Sequence, residues 1–354
     1  MLRKVVFTGM ILAIISQPLF SINEGVQVNT EYIRCSRSPI LQVSPSPSHS
    51  EITPEVKGFN TFEKDSPDYT ALPCFPVGGT ILIGATIDGR EGFAILDTGA
   101  PMLILNQAYF SGSEDLSKHE QVVGINGQVQ PVTSGSATLQ LGGFIWKKAY
   151  AKIYDLSHLE ESKKVPILAL LGANLFHNME LVFDMQNHQI HLYRLDDRGE
   201  RLHQSTARET PSFVLPLKMK GHLPYLLANT GGVSLKMGID SGAGIALIKP
   251  RKQAQLQPFL ETAGVIRVKG VGKKTSQVPV QRLNNLTLAG LNYHPLRVGF
   301  RKLEHLNELL GGSDIDGILG LEFLSLHKMA INYKKRELHI WAPPNAGLRM
   351  AGRE

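Results

Sequence analysis

Asp97 and Asp240 are the two residues of this chain whose surroundings best suit chemistry. Asp97 lies in residues 93–106, FAILDTGAPMLILN, and Asp240 lies in residues 236–248, KMGIDSGAGIALI, 143 positions further on (240 minus 97). Burying a single charge among apolar side chains costs free energy. We therefore expect each carboxylate to have an interaction partner or a chemical function. Two carboxyl groups held together can divide proton donation and proton acceptance between them. We therefore interpret the rest of the chain as the scaffold that unites them.

The chain contains an internal duplication that would supply this scaffold. Its two halves align without a gap at an offset of 148 positions (320 minus 172), which pairs Gly172 with Gly320, Asp184 with Asn332, Ile190 with Leu338, His191 with His339 and Leu192 with Ile340. Repeats are informative because they determine the architecture. Two copies are too few for a solenoid and instead predict two similar lobes around a pseudo-twofold axis.

A β-hairpin is predicted directly before the first aspartate. Strand-like residues 80–87 and 93–96 flank Asp88-Gly89, a strong hairpin signal. Asp97 then falls at a strand end, where Gly99 allows a sharp turn and Pro101 discourages strand pairing beyond it.

The remaining elements follow a similar order in both halves. In the first half we predict a glycine-rich tip at 122–128, a strand at 137–141, an apolar element at 167–172, a short helix at 173–177 and strands at 181–183 and 189–193. In the second half we predict strands at 213–217 and 225–227, a glycine-rich tip at 268–272 and an apolar element at 318–320.

These motifs closely resemble the aspartic proteases. Each Asp-Thr/Ser-Gly-Ala turn is followed about 75 to 80 residues later by two apolar residues and a glycine. The turn sequence, the short lobes and the glycine-rich tips are most similar to the retropepsin-like branch, in the tandem arrangement of the bilobal pepsin-like enzymes. The resemblance covers residues 75–341. It implies a mainly β fold of two retropepsin-like acid-protease β-barrel lobes related by a pseudo-twofold axis.

The resemblance also implies an aspartic endopeptidase that hydrolyses peptide bonds by general acid-base activation of a water between two aspartates. The implied residues are Asp97 and Asp240 as the catalytic pair; Thr98, Gly99, Ser241 and Gly242 as support of the active-site turns; and Gly124, Gly127, Gly270 and Gly272 as flap candidates. The implied partner is a peptide or protein substrate, with no cofactor and no metal. One departure is that neither predicted flap contains the tyrosine of pepsin-like enzymes. A non-catalytic peptide-binding protein of the same fold is the alternative, and a structural envelope protein is a third class.

Composition fits a globular protein with two cores. The chain has 354 residues, of which 42% are hydrophobic and 19% charged, enough for two domains. Its formal net charge is +6, but the basic residues are scattered, so we predict a solvated surface and no nucleic-acid partner. His188 and His191 lack acidic or cysteine neighbours in the predicted strands, which argues against a metal site.

The N-terminus has the pattern of a secretory signal peptide, with a charged start, an apolar run over residues 5–15 and the small residue Ser21. We therefore expect export to the periplasm or outside the cell, with an uncleaved membrane anchor as the alternative. Cys35 and Cys74 fit one disulfide in an oxidising compartment or two unpaired thiols.

The predicted domains are a signal peptide (1–21), a Ser- and Pro-rich leader, tether or propeptide (22–73), lobe 1 (74–195), a linker (196–211), lobe 2 (212–342) and a tail (343–354). Because one chain carries both aspartates, we expect a monomer with an intrachain pseudo-dimer.

Overall fold

The structure is a computed structural model. It describes residues 62–63, 65–110, 120–123, 129–203, 209–269, 275–303, 310 and 315–350, and residues 14–16; side chains are not described for 14–16, 120–123, 129–133, 266–269 and 275–278. Most described residues lie in strands, which confirms the predicted mainly β fold. The strands of the first half are β1 (Ile14–Ser16), β2 (Tyr69–Val77), β3 (Thr80–Ile87), β4 (Arg90–Leu96), β5 (Leu103–Asn106), β6 (Glu120–Val123), β7 (Val129–Leu141), β8 (Phe144–Tyr154), β9 (Ile167–Leu171), β10 (Met179–Asp184) and β11 (Gln189–Arg194).

The second half repeats this architecture. Its strands are β12 (Phe213–Pro216), β13 (Lys218–Lys220), β14 (Leu223–Thr230), β15 (Val233–Ile239), β16 (Ala246–Ile248), β17 (Leu260–Lys269), β18 (Thr275–Leu283), β19 (Leu286–Leu288), β20 (Leu291–Tyr293), β21 (Leu296–Phe300), β22 (Gly317–Leu319), β23 (Lys328–Asn332), β24 (Glu337–Trp341) and β25 (Arg349–Met350). The described helices are short: the α-helices Gln107–Phe110, Ser157–Lys163, Gln253–Leu256 and Leu321–Leu324, and the 3-10 helices Ala173–Leu175, Pro250–Lys252, Gln257–Phe259 and Pro344–Ala346.

Lobe 1 is a closed barrel of six strands. The strands pair in the order β3-β4-β9-β5-β8-β7, and β7 returns to β3 to close the ring. Two of these pairs, β4 with β9 and β5 with β8, are parallel, whereas β5 pairs with β9 antiparallel. Alternate side chains such as Ile81 and Ile83 fill the interior, as the two-residue period of a strand requires.

Lobe 2 has the same strand order around its aspartate. The strands β14-β15-β22-β16-β21-β18 are neighbours, with β15–β22 and β16–β21 parallel and β16–β22 antiparallel. In this lobe β14 also pairs with the hairpin β19–β20. The strand that ends at each aspartate therefore has the same parallel neighbour in both lobes.

A six-stranded sheet joins the lobes, and its strand order is β12-β24-β23-β10-β11-β2. Three of its strands come from each half, and β10 pairs with β23 at the centre. The central pair is Val182 with Ala330, which are also equivalent under the sequence repeat (330 minus 182 is 148). The same 148-residue offset relates the pair on one side of this central pair, Leu181 with Ile331, to the pair on its other side. The pseudo-twofold axis thus passes through the centre of this sheet.

Lobe 1 begins earlier than the predicted boundary at residue 74. Strand β2 starts at Tyr69 and pairs with β11. Phe62 packs edge-on against Phe144 and Trp146, with ring centroids 5.3 and 5.9 Å apart. The Ser- and Pro-rich composition concealed these residues, because their partners lie about 80 to 130 positions away in the sequence.

Hydrogen bonds and an ion pair fix the first residues of the predicted linker. The turn at Asp196 is closed by two amides that donate to its Oδ1, and Arg201 pairs with the buried Glu180 of β10. Lys334 of lobe 2 donates to the carbonyl oxygen of Asp196 at 2.9 Å. The linker is therefore attached to both lobes where it leaves lobe 1.

The predicted tail joins lobe 2 as well, since β25 pairs with β20. At the other end of the chain, β1 lies within the predicted signal peptide and pairs with residues 267–269 of β17. The rest of residues 1–21, residues 22–61 and Cys35 lie outside the described residues. Within the described parts of the chain, none of the helices is long and apolar enough to cross a membrane.

Candidate active site

Asp97 and Asp240 occupy matching positions, each directly after the second strand of a β-hairpin: β3–β4 for Asp97, as predicted, and β14–β15 for Asp240. The backbone amide of Asp97 donates to the carbonyl oxygen of Leu171 at 3.1 Å, and that of Asp240 donates to Leu319 at 3.0 Å. In both lobes the acceptor is the last residue of the parallel neighbour strand. The sequence repeat therefore becomes a repeated backbone geometry around each carboxyl group.

Thr98 and Ser241 connect the two turns across the pseudo-twofold axis. The amide of Thr98 donates to Ser241 Oγ, and the amide of Ser241 donates to Thr98 Oγ1, each at 3.0 Å. Each hydroxyl then donates to a carbonyl oxygen of the opposite lobe, Ser241 to Leu96 at 2.9 Å and Thr98 to Ile239 at 3.4 Å. Because all these groups are buried, the four hydrogen bonds hold the aspartate turns in one relative position.

Backbone amides surround the carboxyl groups. Asp97 Oδ1 accepts from the amides of Gly99 and Ala100, both at 3.0 Å. Asp240 Oδ1 accepts from the amide of Gly242 at 2.8 Å. Such bonds favour the ionised carboxylate and offset part of the cost of its burial.

The glycines of the two turns bring the lobes into close approach. A Cβ atom on Gly99 would lie 2.3 Å from Cγ of Asp240, and one on Gly242 would lie 2.5 Å from Cγ of Asp97. Both distances are far below van der Waals contact. Each carboxyl group therefore packs against the glycine of the other turn, and any larger residue there would separate the two lobes.

Burial raises the pKa of both carboxyl groups. Asp97 and Asp240 are each 1% exposed. The pKa of Asp97 is raised first by burial and then by repulsion from Asp240, whereas the pKa of Asp240 is raised by burial and held down by the amide of Gly242. Ionisation of one carboxyl group disfavours ionisation of the other, so the two groups titrate as a coupled pair.

Asp240 Oδ2 is a buried carboxyl oxygen that has no hydrogen-bond partner among the described residues. Such an atom costs free energy unless a bound group completes it. The pair therefore combines two carboxyl groups of raised pKa with an oxygen that is free to form one further hydrogen bond.

The structure brings together six of the predicted site residues and leaves the flap candidates untested. The residues that meet at the lobe interface are Asp97, Thr98, Gly99, Asp240, Ser241 and Gly242. Gly124, Gly127, Gly270 and Gly272 lie outside the described residues; in the sequence, the first two fall between β6 and β7 and the last two between β17 and β18.

Two other sequence inferences concern His191 and Cys74. The expectation that His191 lacks an acidic neighbour is wrong, because Asp184 Oδ2 lies 3.8 Å from its Nε2. Cys74 is buried and has no disulfide partner among the described residues, and burial raises the pKa of its thiol to about 11. The disulfide with Cys35 stays a prediction. The sequence patterns did not indicate His222, whose Nε2 lies 2.8 Å from the carbonyl oxygen of Gly99.

Comparison with known proteins gives an independent result. Residues 227–323 match the family model described as aspartyl protease. The chain is also similar to DNA damage-inducible protein 1 of Phaeosphaeria nodorum, with 22% identity over 195 residues. That match spans 54% of this chain and 39% of the relative, so the chain covers about two fifths of the relative's length. The matched family segment includes Asp240 and its turn, so this part of the chain is similar to the aspartyl protease family, and the chain resembles the retropepsin-like aspartyl proteases.

Proposed function

We propose that this protein is an aspartic endopeptidase whose active site is formed by Asp97 and Asp240. The observation that carries the proposal is the symmetric contact of the two turns. Each carboxyl group packs against the glycine of the opposite turn, and hydroxyl-to-amide hydrogen bonds join the two turns. An aspartyl protease family match over part of the chain supports the same reaction class.

The proposed mechanism uses the single proton of the pair. The ionised carboxylate removes a proton from a water molecule, which attacks the peptide carbonyl carbon. The protonated carboxyl group donates a hydrogen bond to the carbonyl oxygen and then its proton, so that a neutral tetrahedral intermediate forms. In the collapse, the carboxyl group that is now protonated gives its proton to the amine nitrogen as the C–N bond breaks, and a hydroxyl of the intermediate gives its proton to the ionised carboxylate, which restores the single proton of the pair. No covalent bond to the enzyme forms in this sequence.

The proposal predicts a specific mutational result. Asp97→Asn and Asp240→Asn should each abolish cleavage of a peptide library, because an amide cannot exchange the proton that the pair shares. Both variants should retain the unfolding midpoint of the wild type or exceed it, since a neutral amide is less costly to bury than a carboxylate. A pepstatin-type inhibitor should block the wild type.

Two controls separate catalysis from peptide binding without reaction. The peptides that the wild type cleaves should still bind to both Asn variants. If the wild type binds peptides and cleaves none at acidic or neutral pH, the protein is a peptide-binding module of the same fold. Substantial hydrolysis by either folded Asn variant would exclude the shared pair.

We further propose that one chain makes one complete active site and that the protein acts after export. The central pairing of β10 with β23 and the attached linker favour lobes that associate within the chain. Specific activity should stay constant on dilution, because tethered lobes meet at an effective concentration of about millimolar. Mixing the Asp97→Asn and Asp240→Asn chains should restore nothing. Recovered activity would mean that lobes pair between chains.

A further inference from the structure

His222 is a second-lobe residue that contacts the Asp97 turn of the first lobe. It lies between β13 and β14, and its side chain is partly buried. Its Nε2 lies 2.8 Å from the carbonyl oxygen of Gly99. Since a carbonyl oxygen only accepts, this contact requires the proton of the imidazole on Nε2.

The contact leads to the Asp97 carboxyl group through a single peptide group. The carbonyl of Gly99 and the amide of Ala100 belong to the same peptide group, and that amide donates to Asp97 Oδ1 at 3.0 Å. A donor on the carbonyl oxygen polarises the peptide group and makes its N–H a stronger donor. The hydrogen bonds therefore run from His222 through the peptide to Asp97.

The contact has no counterpart from the matching position of lobe 1. The 143-residue offset between the two aspartates places Gly79 opposite His222 (222 minus 79). Gly79 has no side chain, so it cannot donate to the second-lobe turn. His222 thus makes the surroundings of the two otherwise similar carboxyl groups different.

We propose that His222 is a positioning residue, which holds the Gly99 peptide from the opposite lobe and strengthens its hydrogen bond to Asp97. This inference rests on the proposed protease function. His222 acts through a backbone group and is not itself assigned a contact with substrate.

The proposal predicts the direction of a change in pH dependence. A stronger bond to Asp97 Oδ1 favours the ionised carboxylate, so weakening it raises the lower apparent pKa of the pair. Among the described residues, the carboxyl groups of Asp97 and Asp240 belong to the turns at this contact, and the hairpin that carries His222 also contains Lys218 and Lys220. Burial lowers the pKa of His222, while its contact with Gly99 opposes that change.

The test compares His222→Leu, which keeps bulk but has no donor, with His222→Gln, whose amide restores one. We expect His222→Leu to lower kcat about threefold to tenfold, the range for one ordinary hydrogen bond, with KM little changed. The acid limb of its pH profile should move to higher pH. His222→Gln should recover most of kcat and the wild-type profile. Unfolding midpoints of all three proteins provide the control for stability.

A second measurement needs no substrate. Carbon-13 NMR of labelled aspartate carboxyl groups gives the two apparent pKa values of the pair. The lower of these two values should be higher in His222→Leu than in the wild type. If His222→Leu keeps the kcat and the titration of the wild type, the proposal is wrong. A lower KM at unchanged kcat would also contradict it, because that result indicates that the His222 side chain competes with substrate. If His222→Leu does not fold, His222→Asn, with a shorter side chain, takes its place. If the wild type cleaves no peptide but His222→Leu still shifts the titration of the pair, only the protease function is rejected.

Discussion

The hydroxyl of Ser241 gives the sharpest test of how the two lobes are held together. Ser241 Oγ accepts from the amide of Thr98 and donates to the carbonyl oxygen of Leu96, at 3.0 and 2.9 Å. Ser241→Ala removes both bonds and creates little empty volume. The amide of Thr98 and the carbonyl of Leu96 then remain buried without their partner, because both residues are 0% exposed.

The expected cost follows from these two groups. An unsatisfied buried polar group costs about 1 to 3 kcal/mol, and the hydroxyl itself no longer has to be desolvated. We therefore expect Ser241→Ala to lower the free energy of unfolding by about 2 to 4 kcal/mol. Thr98→Ser is the matched control, because it keeps the hydroxyl and loses one methyl group, worth about 1 kcal/mol.

Urea denaturation followed by tryptophan fluorescence measures this effect. The two tryptophans are placed to report on both regions, since Trp146 is buried in lobe 1 and Trp341 lies in β24 of the interlobe sheet. Ser241→Ala and Thr98→Val should be less than additive when combined, because they belong to one network. If Ser241→Ala unfolds within about 0.5 kcal/mol of the wild type, the network does not hold the lobes as argued.

Two further predictions concern stability. Although burial opposes it, the interactions with His339, whose Nδ1 lies 3.6 Å from Oε1 of Glu180, and with Arg201, which donates hydrogen bonds to that oxygen, lower the pKa of Glu180 from 4.5 to about 2. This group therefore contributes stability that is present above about pH 4.5 and is lost as the pH falls towards 2, a contribution of about 3 kcal/mol. Acid unfolding curves should show this loss in the wild type but not in Glu180→Gln, and parallel curves would contradict the assignment. The second prediction compares two truncations. Under reducing conditions, deletion of residues 22–68 should lower the unfolding free energy by about 1 to 3 kcal/mol more than deletion of residues 22–60, because it also removes the packing of Phe62 on lobe 1. Equal stability of the two truncated chains would show that this packing contributes nothing.

Local sequence was sufficient to predict the centre of the molecule. The Asp97 and Asp240 turns follow hairpins whose strands alternate over a few residues, and the hydroxyl and glycine after each aspartate are part of the same short motif. Interactions between residues close in the chain determine such turns. The 148-residue repeat also predicted two related lobes, because a repeated sequence that folds once folds similarly again.

Residues with distant partners were assigned incorrectly. Phe62 and Tyr69 lie in a stretch with the composition of a linker, and only their packing partners in β8 and β11 place them in lobe 1. The same applies to β25, which appeared to be a tail until its pairing with β20. Strand propensity depends on neighbours across the sheet, and those neighbours are not visible in a short window of sequence.

His222 shows most clearly what tertiary structure decides. The 143-residue offset between the two aspartates sets His222 against Gly79, and this difference was a signal available in the sequence. A difference between repeats does not reveal which atom the imidazole contacts. The sequence by itself determined which residues form the two turns, because each turn is a local structure. Only the packing of the lobes decided that His222 reaches the carbonyl oxygen of Gly99, because that contact joins residues 123 positions apart.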